Sequence, residues 1–276
     1  MPRTTAGSAS GDGYATSTSV KRAFGLLDVI AAAGPEGISL DALAGAVPTA
    51  KSTTHRYVAT LVELGAVRRD PLGRLHLGLK LIELAGALLG ADDLGSVAEP
   101  ILKELVGTTG ETVHLGVPSE GDVVYIAKVE SPQSVRLVSH IGARVPMYSS
   151  AMGKAVLALL DEDGLRPLLD RSFERRTKHT ITDEAALRQE LERVRERGFA
   201  IDNEENEVGV RCIGAAILDA RGTPIGAISV SAPAARMTHA RAQRTAPDVL
   251  RAVQDIARRL GHGAPAAGNQ IRGEVR

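Results

Sequence analysis

The sequence has few of the residues that cross-link a chain or hold a metal. It contains a single cysteine, Cys212, among its 276 residues, which excludes an intramolecular disulfide framework and a cysteine-rich zinc site. Tryptophan is absent, and only 3 Phe and 4 Tyr are present. The longest apolar runs are broken by Gly, Asp or Lys well short of the ~20 residues that a membrane span needs. We therefore expect no transmembrane helix and no membrane partner.

The chain also lacks a net charge, because its 33 basic and 33 acidic side chains balance. Such a chain is not attracted indiscriminately to nucleic acid, although a local basic face remains possible. Residues 1–19 have neither the cationic start nor the apolar core of a secretory signal, so we expect a cytoplasmic protein. With 43% hydrophobic and 24% charged residues the composition is that of a soluble globular protein. The length favours two domains.

The N-terminal part is predicted to form a helix-turn-helix. Apolar residues at helical spacing from Val20 to Ala31 predict a first helix. After Gly37 two short helices are expected, because Pro48 interrupts the apolar pattern between them. The second of these would end at Gly65 and bury one face, formed by Thr54, Val58 and Leu61. Two short helices joined by a tight turn are a helix-turn-helix.

A β-hairpin and an apolar helix are predicted next. Residues 66–77, AVRRDPLGRLHL, read as two short strands around a turn at Pro71 to Gly73. A helix-turn-helix followed by a hairpin is a winged helix. Residues 79–89, LKLIELAGALL, are apolar on nearly every side of a helix. We expect that helix to pack against another domain or a second chain.

From about Ser96 the sequence alternates between strands and helices. The predicted strands are TVHLGV, DVVYIAKVE, SVRLVSHI, GVRCIGAAILD and PIGAISVSA. The predicted helices are SAMGKAVLALL, DEAALRQELERVRERG and a last one from about Ala240 to Leu260. Strands in adjacent hairpins beside segregated helices indicate an antiparallel sheet with helices packed on it, an α+β domain.

One face of the second helix of the helix-turn-helix and the wing after it carry polar and cationic side chains suited to DNA. Arginine, lysine and short hydroxyl side chains reach base edges and phosphates in the major groove, and wing arginines suit phosphates or the minor groove. The alternative is that these are solvated surfaces, since residues 20–89 contain eight basic and six acidic residues. The prediction of DNA binding therefore depends on where the basic side chains lie and not on the net charge of this region. The candidate DNA-binding residues are Lys51, Ser52, Thr53, His55, Arg56, Arg68, Arg69 and Arg74.

Several longer stretches together resemble one family. They are KSTTHRYVATLVELGAV and GRLHLG near the N-terminus, then IGARVPMYSSAMGKAVLALL, HTIT, GFAIDNEENEVGVRCIGAAILDARGTPIGAISVSAP and Arg236. From about Thr18 to Gly261 the chain resembles the IclR family of bacterial transcription regulators. The resemblance implies an α+β protein with an N-terminal winged helix-turn-helix, a linker helix and a C-terminal GAF/PAS-like antiparallel sheet with packed helices.

This organisation gives five predicted segments. They are a flexible tail over 1–17, a winged helix-turn-helix DNA-binding domain over 18–78, a linker helix over 79–95, an effector-binding domain over 96–262 and a second flexible tail over 263–276.

The resemblance also implies a small-molecule pocket in the C-terminal domain. The residues that it designates are Val145, Ala151, Met152, Asp202, Val210, Cys212, Ser229 and Ser231. Ser229 and Ser231 alternate along one strand and face the same side. With a helix starting near Ser150, their hydroxyls could hold a carboxylate, while Asp202 would accept a hydrogen bond from a ligand hydroxyl. The alternative is structural, since a lone cysteine is most often a small buried hydrophobe.

Enzymatic and metal-binding interpretations find little support in the sequence. Gly153-Lys154 resembles a phosphate-binding loop, but Tyr148 and Ala155 occupy positions that need Gly and Ser or Thr. Lys154 is better explained as a structural or helix-terminal residue. A zinc site would need closer spacing than His114, His140 and Cys212 provide. The acidic run Glu204, Glu205 and Glu207 is expected to be a surface loop beside Asp202 that needs no metal. We expect no catalytic residue, no cofactor and no metal.

The expected function is a transcription regulator that represses a catabolic operon until a small organic acid binds. A sugar acid or keto acid is the effector class that the resemblance implies. The expected partners are a pseudo-palindromic double-stranded DNA operator, this acid, and further copies of the chain in a dimer or a dimer of dimers. Activation instead of repression is one alternative. A ligand-binding protein or enzyme that uses its N-terminal domain for assembly is another.

Overall fold

The computed structural model describes residues 16–91 and 94–262. Within these residues the chain divides after residue 91 into two compact units, and the division falls inside the segment predicted as a linker. The predicted flexible tails, 1–17 and 263–276, lie outside the described residues except for 16 and 17. Among the described helices, none has both the length and the apolar content that crossing a membrane requires.

The first unit is a winged helix-turn-helix. Its elements are α1 (Thr18–Ala32), a 3-10 turn (Gly34–Glu36), α2 (Leu40–Ala46), α3 (Lys51–Glu63), β1 (Val67–Arg69), β2 (Leu75–Leu77) and α4 (Lys80–Ala91). Strands β1 and β2 pair antiparallel, and an isolated bridge joins Ile38 to Leu75. The predicted buried face of α3 is confirmed, because Thr54, Val58 and Leu61 are buried. Helix α4 covers residues 80–91 of the predicted linker helix, 79–95, of which residues 92 and 93 lie outside the described residues.

Local sequence explains where the short helices begin. The Ser39 hydroxyl accepts the Ala42 N–H at 3.2 Å and caps α2. Helix α3 begins after Ala50, whose carbonyl accepts the N–H of Thr54 at 3.0 Å. Among the described side chains of this unit, eight buried apolar residues form a core. They are Leu26, Ile30, Leu43, Val58, Leu61, Ala66, Val67 and Leu75.

The second unit is built on a six-stranded antiparallel sheet with the order β5-β4-β3-β8-β7-β6. Its strands are β3 (Thr112–Ser119), β4 (Asp122–Val129), β5 (Arg144–Pro146), β6 (Ala200–Asn203), β7 (Val210–Leu218) and β8 (Pro224–Pro233). Its helices are α5 (Leu94–Thr109), α6 (Ala151–Leu157), α7 (Glu162–Leu169), α8 (Glu184–Arg197) and α9 (His239–Arg259). The antiparallel sheet with packed helices confirms the predicted α+β class.

The helices of this unit form two groups, and each group packs on the sheet through its own apolar core. One core joins α5 and α9 to strand residues such as Leu115, Ile213 and Ile228. The other joins α6, α7 and α8 to Val123 and Ala227. Because side chains alternate along a strand, Ala227 and Ile228 lie on opposite faces of β8. The two cores therefore cover the two faces of the same sheet.

The predicted strand SVRLVSHI is wrong, because residues 134–141 form no strand. The chain leaves the sheet after β4 and returns only in the three residues of β5. Hydrogen bonds from residues outside the segment hold it in this course, and two of them run from side chains to its backbone carbonyls. Lys128 Nζ donates to the Ser139 carbonyl at 2.8 Å, and Arg236 Nη1 donates to the Val135 carbonyl at 2.9 Å. We call residues 130–143 the covering segment.

Candidate functional site

Helix α3 presents the predicted cationic and polar side chains to solvent. Lys51, Ser52, His55 and Arg56 are exposed, and Thr53 is half-buried. The buried face of α3 packs into the first unit's core, so these side chains are brought to one surface by the helical period. This arrangement leaves an exposed helix face whose donors can reach base edges and phosphates.

Lys51 is already paired on this surface. Its Nζ lies 2.7 Å from a carboxylate oxygen of Asp41 on α2, and both side chains are largely exposed. The hydrogen bond from Lys51 holds the pKa of Asp41 below its ordinary value. A phosphate approaching this surface would compete with Asp41 for the Lys51 ammonium group.

The wing separates its three arginines into two groups. Arg68 and Arg69 on β1 are exposed. Arg74 is exposed as well, but it uses Nη1 to donate to the carbonyls of Glu36 and Gly37, at 2.9 and 3.2 Å. The structure therefore leaves the first two available to a ligand and connects Arg74 to the turn that precedes α2.

Asp70 organises the turn of the wing. Its Oδ1 accepts the N–H groups of Leu72 and Arg74 at 2.9 and 2.8 Å, and Gly73 adopts a φ of 77°, which favours glycine. Its Oδ2 lies 3.1 Å from His76 Nε2. That hydrogen bond is the main reason why the pKa of Asp70 lies below its ordinary value. The hairpin that carries Arg68 and Arg69 is thus held by its own turn.

A cavity of about 230 Å³ lies in the second unit. All of the residues that the resemblance designated line it, namely Val145, Ala151, Met152, Asp202, Val210, Cys212, Ser229 and Ser231. They come from β5, α6, β6, β7 and β8, so distant parts of the sequence converge on one space. The cavity wall combines apolar side chains with several polar groups, as small-molecule sites commonly do.

Strand pairing brings the polar residues of this wall into two adjacent rows. Asp202 pairs with Cys212, and Cys212 pairs with Ser231. Ser229 pairs with His114 on β3 and with Gly214 on β7. Because cross-strand partners project on the same face of a sheet, these side chains lie beside one another.

The beginning of α6 packs over these two rows. The Ser150 hydroxyl accepts the Gly153 N–H at 3.2 Å and caps the helix. A Cβ added at Gly214 would lie 3.0 Å from the Met152 nitrogen, so the backbone of α6 rests almost directly on β7 beside Ser229. Glycine at 214 permits this approach, which brings the first turn of α6 to the cavity wall.

Asp202 is a buried carboxyl group in the cavity wall, with 2% of its surface exposed. Its Oδ1 accepts the N–H groups of Glu205 and Asn206 at 2.7 and 3.3 Å. Burial raises the pKa of Asp202 to about 7, although the charge of Lys154 opposes the rise. This carboxyl group therefore exchanges a proton near neutral pH.

Lys154 and Glu205 form a buried ion pair behind Asp202. Lys154 Nζ lies 2.5 Å from Glu205 Oε1 and donates to the Ile201 carbonyl at 2.7 Å. The expectation that Glu205 belongs to a surface loop is wrong, because the residue is 6% exposed. The buried ammonium group of Lys154 accounts for the burial of that carboxylate. Lys154 is structural, as its lack of a phosphate-loop context indicated.

The cavity also contains polar residues that the sequence did not single out for it. They are His114, Tyr125, Ser139, His140, Ser150, Arg176, Asn206 and Glu207. His114 stacks on Tyr125 with ring centroids 4.5 Å apart. Burial lowers the pKa of His114 to about 4 and raises the pKa of Tyr125. The sequence signal that could have identified His114 is its position two residues after the polar Thr112, on the same face of the predicted strand TVHLGV.

Arg176 supplies a positive charge at the cavity. Its side chain is exposed, and its Nε donates to the Asn206 carbonyl at 3.1 Å. Cys212 lies on β7 in the cavity wall, and its removal from solvent raises the pKa of the thiol, which stays protonated at neutral pH. Within residues 16–91 and 94–262, no group of three or more His, Cys, Asp or Glu side chains could hold a metal ion.

Family models match both units of the chain. A model described as the IclR helix-turn-helix domain matches residues 19–71. A second, described as the C-terminal part of the bacterial transcriptional regulator IclR, matches residues 86–258. Together they cover the helix-turn-helix and the unit that contains the cavity.

Individual proteins give the same result. The HTH-type transcriptional regulator KdgR of Escherichia coli is 36% identical over 247 residues, which are 89% of this chain and 93% of KdgR. The transcriptional repressor IclR of Escherichia coli is 32% identical over 242 residues, 86% of this chain and 88% of the repressor. An IclR homologue from Microbacterium hydrocarbonoxydans, solved in complex with 4-hydroxybenzoate, has the same fold, with a TM-score of 0.77 and 23% identity over 88% of this chain and 99% of its own.

Proposed function

The chain belongs to the IclR family of bacterial transcription regulators, and from this premise we propose that it represses a catabolic operon until a small organic acid enters the cavity of its second unit. The chain is a regulator and not an enzyme. The observation that carries the effector proposal is the convergence of eight separate residues on one cavity. Repression is supported by the similarity to a relative that is named a repressor.

The proposed DNA contacts are those of α3 and the wing. Helix α3 enters the major groove with Lys51, Ser52, Thr53, His55 and Arg56 toward the bases and phosphates. Arg68 and Arg69 contact phosphates or the minor groove. Arg74 remains a candidate, although its bonds to the Glu36 and Gly37 carbonyls favour a role in holding the wing.

The proposed effector is a small carboxylic acid. Its carboxylate accepts hydrogen bonds from Ser229 and Ser231 beside the first turn of α6, and Arg176 attracts it to the cavity. The cavity volume of about 230 Å³ suits a small acid better than a nucleotide or a lipid. A hydroxyl of a sugar acid can donate to Asp202, and a keto oxygen of a keto acid can accept from the Tyr125 hydroxyl.

Self-association is proposed from exposed apolar side chains of the first unit. Val20 and Phe24 on α1 are 56% and 64% exposed, and Leu79 and Ile82 at the start of α4 are 72% and 67% exposed. Exposed apolar groups of this size favour burial against a second copy. A dimer would present two α3 helices to a pseudo-palindromic operator. Because that operator is genomic DNA, we place the protein in the cytoplasm.

The DNA-binding part of the proposal is tested with Arg56→Ala. If Arg56 makes a bidentate base contact, its removal weakens operator binding by ~1–3 kcal/mol. Electrophoretic titration on DNA upstream of the chain's own gene, at a stated salt concentration, measures the effect. Arg251→Ala is the matched control, because Arg251 is an exposed arginine on α9 of the other unit. Equal operator affinity for the wild type and Arg56→Ala would remove Arg56 from the interface.

A further inference from the structure

The strongest unassigned feature of the second unit is the buried imidazole of His114. We propose that His114 is a positioning residue that turns the hydroxyl groups of Ser229 and Ser231 into hydrogen-bond donors toward an anionic effector. The inference rests on the proposed effector cavity and adds to it a residue that determines selectivity for anions.

A continuous chain of polar atoms crosses the cavity wall through His114. The Oγ atoms of Ser229 and Ser231 are 3.3 Å apart, and Ser231 Oγ lies 3.4 Å from His114 Nδ1. On the other side of the ring, His114 Nε2 lies 2.8 Å from Ser139 Oγ in the covering segment. All four residues line the cavity. The imidazole therefore links the two serines of β8 to the covering segment.

The position of His114 is firmly set. The residue is 2% exposed and stacks on Tyr125. On the neighbouring strand its cross-strand partner is Lys128, which donates to the Ser139 carbonyl at 2.8 Å. Ser139 is thus held at its carbonyl by Lys128 and at its hydroxyl by His114. Neither ring nitrogen can turn away without breaking one of these contacts.

The imidazole carries one proton at neutral pH, because burial holds the pKa of His114 at about 4. One ring nitrogen is then a donor and the other an acceptor. With the proton on Nε2, the Ser231 hydroxyl must donate to Nδ1 and has no proton left for a ligand. Only the Ser229 hydroxyl can then donate to a carboxylate, and it loses that capacity when it donates to the Ser231 oxygen.

With the proton on Nδ1 the whole chain reverses. The Ser139 hydroxyl donates to Nε2, and Nδ1–H donates to the Ser231 oxygen. The hydroxyl protons of Ser231 and Ser229 both become free to point into the cavity. Hydrogen bonds to an ionised acceptor are the stronger kind, so an anionic effector stabilises this tautomer. The same imidazole, without a charge of its own, orders two donors for the ligand.

The test compares His114→Asn with His114→Phe by calorimetry of the full chain. Propanoate, lactate and pyruvate serve as probes, because these acids share three carbons and differ only at C2. Asparagine places an amide donor where Nδ1 lies, whereas phenylalanine keeps the ring stacking and removes both hydrogen bonds. We expect the affinity of the acid that the wild type binds best to fall roughly 10- to 100-fold in His114→Phe. In His114→Asn it should stay within about threefold of the wild type.

A second measurement identifies the tautomer directly. Nitrogen-15 NMR of labelled histidine distinguishes a protonated Nδ1 from a protonated Nε2, and the spectrum of His114→Asn identifies the signal. In the acid-saturated wild type we expect the proton on Nδ1. Urea unfolding of both variants shows whether each is folded before its affinity is compared.

Each outcome separates this inference from the proposal on which it rests. Wild-type affinity in a folded His114→Phe, or a proton on Nε2 in the acid-saturated wild type, would overturn the role of His114 alone. Failure of the wild type to bind any of the three acids would overturn the proposed effector class, and the role of His114 with it.

Discussion

At the scale of single residues, the chemistry of the cavity depends on Asp202. This carboxyl group is 2% exposed and interacts electrostatically with Lys154, Glu205, Tyr125 and Cys212. Burial is the largest influence on it and raises its pKa to about 7. Above that pH the Asp202 side chain is negatively charged, and it lies in the cavity that we propose binds an organic anion. The protonation state of Asp202 must therefore influence binding.

We expect carboxylate binding to strengthen as the pH falls from 8 to 6. Asp202 has a folded-state pKa raised to about 7, so lowering the pH through 7 neutralises it and removes a repulsion. A bound anion raises that pKa further, which makes binding take up a proton. The affinity for the carboxylate changes by at most ~tenfold per pH unit when one group titrates. Calorimetry with pyruvate at pH 6 and 8 measures it.

Asp202→Asn is the control for this pH dependence. The asparagine oxygen can still accept the N–H groups of Glu205 and Asn206, but the side chain no longer titrates. We expect the variant to bind pyruvate with little difference between pH 6 and 8. A pH dependence equal to that of the wild type would assign the titration to another group.

At the scale of secondary structure elements, close contact between α6 and its surroundings positions the cavity wall. A Cβ added at Gly153 would overlap the Cα and the carbonyl of Met147, which are backbone atoms that cannot rotate away. Gly107 on α5 has no atom within 4 Å of the same added Cβ. The same substitution of glycine by alanine is therefore blocked by backbone atoms at position 153 and meets open space at position 107.

We expect Gly153→Ala to lower the free energy of unfolding by about 1–3 kcal/mol and to weaken carboxylate binding, because α6 must shift. Gly107→Ala should instead raise the free energy of unfolding by about 0.5–1 kcal/mol, because alanine favours an open helix position. Urea unfolding of both variants measures the two effects. A Gly153→Ala protein as stable as the wild type would contradict the close contact between α6 and the Met147 backbone.

The wing is the second element with a measurable consequence. Arg68 and Arg69 are exposed, whereas Arg74 donates to two backbone carbonyls. If each of the first two contacts one phosphate, its replacement by alanine should reduce the slope of log affinity against log salt by ~0.9. We expect Arg74→Ala to lower the free energy of unfolding and to leave the slope of log affinity against log salt nearly unchanged. Operator titrations at several salt concentrations distinguish them. A full slope change in Arg74→Ala would make Arg74 a phosphate contact.

Sequence periodicity and family resemblance predicted much of the fold and the cavity. The buried face of α3 followed from helical spacing, and the alternation of Ser229 and Ser231 placed both hydroxyls on one side. The eight designated residues came from the resemblance. Helices α5 and α7 were not predicted, and each contains an internal proline, Pro100 or Pro167, which obscures a helical pattern.

Features that depend on distant partners could not be predicted from local pattern. Glu205 is buried because Lys154, 51 positions away in sequence, supplies an ammonium group in the core. Residues 134–141 have the composition of a strand, but Ser139 is held by Lys128 and His114 outside the sheet. His114 itself was considered only for zinc. Its role emerges from strand pairing with Ser229.

At the scale of the whole molecule, regulation requires that two separate units influence one another. A small acid can change operator affinity only if it binds one arrangement of the protein better than another. The family places a helix-turn-helix over residues 19–71 and a second domain over 86–258. A coupling free energy of ~1–3 kcal/mol between the two would change operator affinity ~5- to 150-fold.

The most direct test of the account is operator affinity measured with and without small carboxylic acids, in the wild type and in Ser229→Ala/Ser231→Ala. We expect at least one acid to change the affinity of the wild type by ~5- to 150-fold. The double variant should bind the operator normally and ignore the acid, because both hydroxyls lie in the cavity and far in sequence from α3. An equal response to the acid in both proteins would contradict the proposed control by this cavity.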